Sequence, residues 1–282
     1  MLEVETPLLS QHGTVDCHID SFQLQHGGRW LHTSPEFAMK RLLCAGSGPI
    51  WQLCKVFRVD EAGRHHNPEF SLLEWYRPGF DHHALMDEMV HLLVHCGVAA
   101  SPAFERISYR EAFVRHAGFD PFAASITEMR AAASSRSPPP AEGLGEVRDA
   151  WLDHFFGSIV SPALGQQQPC FVYDFPASQA ALSRVRGDVA VRFELIWKGV
   201  ELANGFHELA DPAEQARRFA SDMAWREQQG KPTPAADRHL IAALQHGLPD
   251  CAGVALGVDR LLLLLTGAPD IASTLAFDWN RA

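Results

Sequence analysis

The sequence predicts an α+β fold: an antiparallel sheet flanked by helices, its two halves separated along the chain by a helical insertion. Three observations predict it. Trp51–Asp60 and Phe70–Tyr76 alternate with the period of strands on either side of a loop. Arg192–Trp197 and Val200–Leu209 form a second pair joined at Lys198-Gly199. Between the pairs, residues from about 81 to 165 read as mostly helical. The economical arrangement is a single domain over residues 1–282 that carries this insertion.

In the first strand, Trp51, Leu53, Lys55, Phe57 and Val59 share one side, and Gln52, Cys54, Val56, Arg58 and Asp60 the other. The loop Glu61–Glu69 is longer than a hairpin turn requires, and such loops tend to carry function. In the partner strand Phe70, Glu74 and Tyr76 fall on one face. Inside the insertion, Ala131–Gly143 contains Pro138-Pro139-Pro140, which removes backbone donors and predicts a mobile surface connection. Asp211-Pro212 predicts a helix start with Asp211 as its cap, running to about Gly230. Cys251–Arg260 reads as a glycine-punctuated strand entering a helix over Leu261–Leu265.

The chain carries 24 Lys+Arg against 34 Asp+Glu, a formal charge of −10, which argues against a protein that grips nucleic acid mainly by neutralising phosphates. With 282 residues it buries roughly three quarters of its unfolded surface, so its core needs no disulfide or metal. The six cysteines, Cys17, Cys44, Cys54, Cys96, Cys170 and Cys251, form no C-x-x-C pair and read as reduced, mostly buried thiols. Met1–Pro7 has two early acids and no apolar core, unlike a targeting segment. Val254–Thr266 is too short and too charged to span a bilayer. A cytoplasmic protein with no membrane partner is expected. The 15 histidines lack zinc-site spacing and read as loop and surface residues, with His66 an exception beside the candidate site.

Three constellations carry chemistry. Arg58 on a sheet face, with Phe70 on the facing strand, suits a nucleoside phosphate, the guanidinium forking onto phosphate and the ring offering a flat surface to a purine. A cross-strand ion pair of Arg58 with Asp60 or Glu74, beside a core Phe70, accounts for the same residues. Glu201 and Glu208 lie near enough in sequence to hold Mg²⁺ beside a triphosphate. Their odd separation puts them on opposite faces of an unbroken strand, so a bulge near Asn204-Gly205 is expected. Two solvated strand acids are the plainer account. Gly257-Val-Asp-Arg260 sits at a strand-to-helix junction, where Gly257 permits close approach and the helix start favours anions; a capped helix start explains it equally well.

The order of these signals is more specific than any one. Val4–Pro7, Thr33-Ser-Pro-Glu36, Phe57-Arg58 through His66-Asn-Pro-Glu-Phe70, Glu201–Glu208 and Gly257–Arg260 together resemble a class II aminoacyl-tRNA synthetase catalytic domain. Val4–Pro7 is similar to the end of its motif 1, Phe57–Tyr76 to motif 2, and Gly253–Leu265 to motif 3. Thr33–Leu43 and Arg64–Glu74 resemble lysyl-tRNA synthetase. Ile50–Cys54, Phe175–Gln179, Asn204–Glu208 and Gly253–Gly257 resemble more the paralogous family of elongation factor P–(R)-β-lysine ligases, and Ala255 stands where the tRNA-charging enzymes have glycine. The likeness covers the chain except about residues 100–168.

The resemblance implies a ligase that activates (R)-β-lysine with ATP and Mg²⁺ and joins it to a lysine side chain of elongation factor P, with no tRNA partner. It implies catalytic roles for Arg58, Glu201, Glu208 and Arg260. It implies an ATP site of Arg58, Asp60, Asn67, Phe70, Glu201, Leu202, Gly257 and Arg260. Ser34, Pro35, Glu36, Tyr76 and Glu208 would bind the amino acid, and Glu201 and Glu208 the metal. Asp60 departs from the glutamate usual in the family, which shortens any contact there by one methylene. A homodimer is implied, although the helix that precedes motif 1 in this class has no counterpart in this chain. A truncated synthetase-like enzyme with another acceptor, or a silent paralogue that binds a partner, stays open at this point.

Overall fold

The computed structural model describes every residue except Pro102 and residues 135–143. It divides into two compact units, Met1–Glu88 with Gly205–Ala282, and Met89–Asn204.

The first unit opens with short strands β1 (Leu2–Glu3), β2 (Leu9–Ser10) and β3 (Trp30–Leu31), the last two paired antiparallel. Helix α1 (Glu36–Cys44) follows Pro35 and buries Met39, Lys40 and Leu43, positions spaced to share one helical face. Strands β4 (Ile50–Phe57) and β5 (Glu69–Pro78) then pair antiparallel, with Ile50 opposite Tyr76 and Phe57 opposite Glu69, and β1 runs parallel to β4. The alternation read from the sequence holds. Ile50, Gln52 and Val56 are buried while Leu53 on the other face is exposed. The loop between the strands turns at Asp60, whose φ of 62° is left-handed, a conformation aspartate tolerates better than most residues. Helix α2 (His82–His95) closes this stretch, and its Glu88 accepts from the Trp75 indole N–H at 3.1 Å.

In the second unit β6 (Glu105–Ser108) leads into α3 (Tyr109–His116), capped by a reciprocal Ser108–Glu111 box. Helices α4 (Ile126–Ser134), α5 (Arg148–Phe155) and α6 (Ser161–Ala163) follow, a π turn over Phe156–Val160 linking the last two. Strand β7 (Cys170–Pro176) runs parallel to β6. Strands β8 (Val185–Arg186) and β9 (Val189–Trp197) pair with each other, and β9 lies antiparallel to β7. The core here is aromatic, with Tyr109 stacked on Phe113 at 4.5 Å between ring centres and on Phe156 at 5.3 Å. After β9 the chain reverses through Lys198 (φ 51°) and Gly199 (φ 73°) into β10 (Val200–His207), the two-residue mirror-image turn that matches strand twist. A side chain at Gly199 would also press on the Pro162 backbone at 3.0 Å.

The described part of the stretch read as mostly helical is so, with one addition and one correction. It also contains β6, a four-residue strand with one fully buried side chain, Ile107, too short to show a period. Ala131–Ser134, read as the start of a mobile connection, form the last turn of α4; the rest of that reading falls outside the described residues.

Back in the first unit, Asp211 caps α7 (Pro212–Gln228), accepting from Ala213 N at 2.8 Å and Glu214 N at 3.1 Å. Asp237 caps α8 (Arg238–His246) in the same way. Strand β11 (Cys251–Gly257) lies antiparallel to β5, with Gly253 opposite Tyr76 and Ala255 opposite Glu74. Helix α9 (Val258–Thr266) begins at once, earlier than the Leu261 read from the sequence, because Gly257 serves as its N-cap. Near the C-terminus of α7 the buried Arg226 donates to Pro232 O, Asp16 O and Ile19 O and pairs with Asp20. None of the six cysteines is in a disulfide among the described residues; Cys170 and Cys251 are buried, Cys96 is exposed, and three are half-buried, fewer inside than expected. Among the described residues no helix is long and apolar enough to cross a membrane.

Candidate active site

The first unit gathers a buried polar cluster from four distant segments. Ser34 precedes α1, and its hydroxyl accepts from Glu36 N at 3.0 Å while donating to Glu74 Oε2 at 2.7 Å. The Tyr76 hydroxyl donates to Glu74 Oε1 at 2.7 Å, so both oxygens of this buried carboxylate are held by neutral donors. Lys40, one helical turn after Glu36, places Nζ 2.6 Å from Glu36 Oε1 and 2.6 Å from Glu208 Oε2. Lys40 and Glu208 side chains are each 1% exposed.

Burial and the nearby Glu36 charge raise the Glu74 pKa, against the Tyr76 and Ser34 hydrogen bonds. Burial also raises Glu208, opposed by Lys40 and reinforced by Glu36. For Lys40 burial pulls the other way, but Glu208 and Glu36 outweigh it and the ammonium is stabilised. Tyr76 is held well above its ordinary value by burial and by Glu74. Gly253 forms the floor. A Cβ there would run into the Tyr76 ring and come 2.5 Å from Glu208 Oε1. Pro35, the residue before α1, completes the segment that delivers Ser34 and Glu36.

A second group surrounds Arg58, immediately after β4. Its guanidinium lies over the Phe70 ring, 5.0 Å from the centre, with Nε donating to Thr33 O at 3.4 Å and Nη1 3.5 Å from Glu61. Asp60 follows in its left-handed turn. Asn67 is buried and structural in part, donating to Glu69 O at 2.6 Å and accepting from Trp279 N at 3.0 Å. Gly257 caps α9, Asp259 accepts from Ser71 N at 2.6 Å, and Arg260 donates from Nε to His65 O at 3.1 Å. The Glu61–Glu69 loop is thus fastened to α9. His66 is bound into it through a backbone bridge with Gly63.

Glu201 and Leu202 belong to the second unit, the former exposed and the latter buried on β10. Accessibility along β10 changes phase at Leu202-Ala203, both buried, ahead of the Asn204-Gly205 step where a bulge is expected. The acid coupled to Glu201 within its unit is Glu194 on β9. Burial and the Glu201 charge push Glu194 up to about 8, although Arg192 donates to it at 2.6 Å. Among the described residues no three His, Cys, Asp or Glu side chains converge as a metal site.

Ser34, Glu36, Tyr76 and Glu208 therefore come together, as do Arg58 and Phe70. Sequence reasoning missed Lys40, assigned no site role to Glu74, and missed Glu194. The Glu36/Lys40 spacing of four on a helix was the available signal for the first, and Glu194 stands seven residues before Glu201 on the preceding strand.

The family model for class II tRNA synthetases (D, K and N) matches residues 1–281. The chain is 50% identical to the elongation factor P–(R)-β-lysine ligase of Pseudoalteromonas translucida, covering 100% of this chain and 90% of that one. It is 48% identical to the protein of the same name from Yersinia enterocolitica and 47% identical to that from Edwardsiella ictaluri, with the same coverage.

Proposed function

The chain belongs to the class II tRNA synthetase family for D, K and N, and from that premise we propose that it is an ATP-dependent ligase that activates (R)-β-lysine and transfers it to a lysine side chain of elongation factor P. One observation supports this reading above the others: a buried site of three carboxylates and one ammonium over a glycine floor, built to receive a doubly cationic amino acid. Ser34, Pro35, Glu36, Tyr76 and Glu208 line it, with Glu74 and Lys40 behind them.

In the first step the amino-acid carboxylate attacks the α-phosphorus of ATP in line and pyrophosphate leaves. Arg58 turns from Phe70 to the α-phosphate, and adenine takes its place on the ring. Arg260, held over the Glu61–Glu69 loop, meets the terminal phosphate; Gly257 lets the nucleotide approach, with Asp60 and Asn67 completing the first unit's share of the site. Glu201 would hold Mg²⁺ with Glu194 as a second carboxylate, since the Glu201 charge raises Glu194 beyond what Arg192 offsets and a divalent ion would relieve that repulsion. Glu208, engaged by Lys40, serves the substrate ammonium. When bound, Mg²⁺ would supply charge neutralisation on the phosphates. In the second step a neutral acceptor ε-amine attacks the acyl carbon, AMP leaves, and the amide nitrogen sheds its proton.

The enzyme works in the cytoplasm, takes no tRNA, and pairs as a homodimer. Met1, Leu2 and Leu53, each more than half exposed near the β1–β4 pair, offer an apolar patch for that contact. ATP–pyrophosphate exchange with (R)-β-lysine against (S)-lysine, followed by transfer to elongation factor P or to tRNA, tests the reading. Absence of exchange with either amino acid, or transfer to tRNA, overturns it.

A further inference from the structure

We propose that Lys40 is a positioning residue for amino-acid selection: an internal cation that fixes Glu36 and Glu208 and sets how much positive charge a bound amino acid must bring. The proposal rests on the ligase reading and deepens it.

The geometry is specific. Lys40 emerges from the buried face of α1 and bridges two carboxylates at 2.6 Å each, from a position 1% exposed. The third acid, Glu74, takes its hydrogen bonds from Ser34 and Tyr76, which bring no charge. With all three acids ionised, one fixed ammonium leaves the cluster short of two positive charges, and the burial that raises Glu74 and Glu208 makes that ionised state costly until a cationic ligand arrives. A diamino acid carries two ammonium groups; an amino acid with an apolar side chain carries one. A buried cluster left with an unmatched charge is heavily penalised, so the count discriminates between them. Without Lys40 the deficit would rise to three and the carboxylates of Glu36 and Glu208 would repel across the space it now fills. Because its ammonium is spent on the protein's own acids, Lys40 works on the substrate only through Glu36 and Glu208.

Lys40→Met keeps the length of the side chain and removes its charge. In ATP–pyrophosphate exchange this variant is expected to raise KM for lysine isomers by about tenfold or more. KM for ATP should stay within about twofold and kcat should change less than the amino-acid KM. Discrimination between lysine and its chain-length analogue without the distal ammonium, norleucine, should shrink. Unchanged amino-acid KM and unchanged discrimination overturn the proposal. If Lys40→Met does not fold, Lys40→Ala is assayed with added propylammonium or 1-propanol. Recovery by the amine alone supports the role, and equal recovery by both, or by neither, overturns it. If the unaltered enzyme exchanges with no diamino acid, it is the ligase reading that falls.

Discussion

Gly253→Ala tests the floor of the amino-acid site. The new methyl would overlap the Tyr76 ring and stand 2.5 Å from Glu208 Oε1, so one of them must move. Neither moves freely, since Tyr76 is 2% exposed and hydrogen-bonded to Glu74, and Glu208 is tied to Lys40. Overpacking a filled interior costs about 1–3 kcal/mol. If the ring shifts enough to release Glu74 Oε1, a buried acceptor loses its donor for about 1–3 kcal/mol more. A total of about 2–6 kcal/mol corresponds to a fall in Tm of roughly 3–10 °C for a chain of this size. Calorimetry measures that, and exchange kinetics should show the amino-acid KM rising while the ATP KM holds, because Arg58 and Phe70 are untouched. A Tm within about 1 °C of the parent, with amino-acid KM unchanged, would show that the floor has slack and refute the argument.

Other outcomes are expected. Arg226→Met should be the most damaging change away from the site, about 3–5 kcal/mol in urea unfolding, because three carbonyls lose their donor together and Asp20 keeps only Lys231. Asp222 gives a pH signature: burial and the Asp16 charge raise it from 3.8 to about 6, so the native state holds an extra proton in between. Its contribution is greatest below about pH 4 and is lost as pH rises through 6; the urea midpoint should fall over that window, and less so in Asp222→Asn. Glu208→Gln should abolish amino-acid-dependent exchange while nucleotide binding, followed calorimetrically, persists. Phe70→Ala should raise the ATP KM by about tenfold, reflecting roughly 1–3 kcal/mol of lost base stacking.

Much of this was legible before any coordinates. Period-two alternation located β4 and β5, because half-buried strands impose it, the Lys198-Gly199 turn marked the β9–β10 pair, and Asp211-Pro212 announced α7 through capping and proline geometry. The four-residue β6 gave no such signal, since a parallel partner some 60 residues away rather than its own pattern makes it a strand. Within the site, residues with strong motif neighbours such as Ser34, Glu36 and Arg58 could be named one by one. Lys40 could not, because on a helix a lysine four residues after a glutamate is usually a solvated pair; its meaning comes from Glu208, 168 positions later. Glu194 escaped for a similar reason: its neighbour lies across a turn.

The ion cluster also constrains how this enzyme can change. Its members come from residues 34–40, 74–76, 208 and 253, and each is tolerable only because the others are in place. Exchanging the lysine alone leaves Glu36 and Glu208 facing each other indoors, and exchanging one acid alone strips its hydrogen-bond donors of their partner while changing the charge the pocket asks of its ligand. Such a pocket evolves by coordinated replacement or stays as it is, and a library that varies Glu36, Lys40 and Glu208 together should reach new specificities that no single-site scan will find.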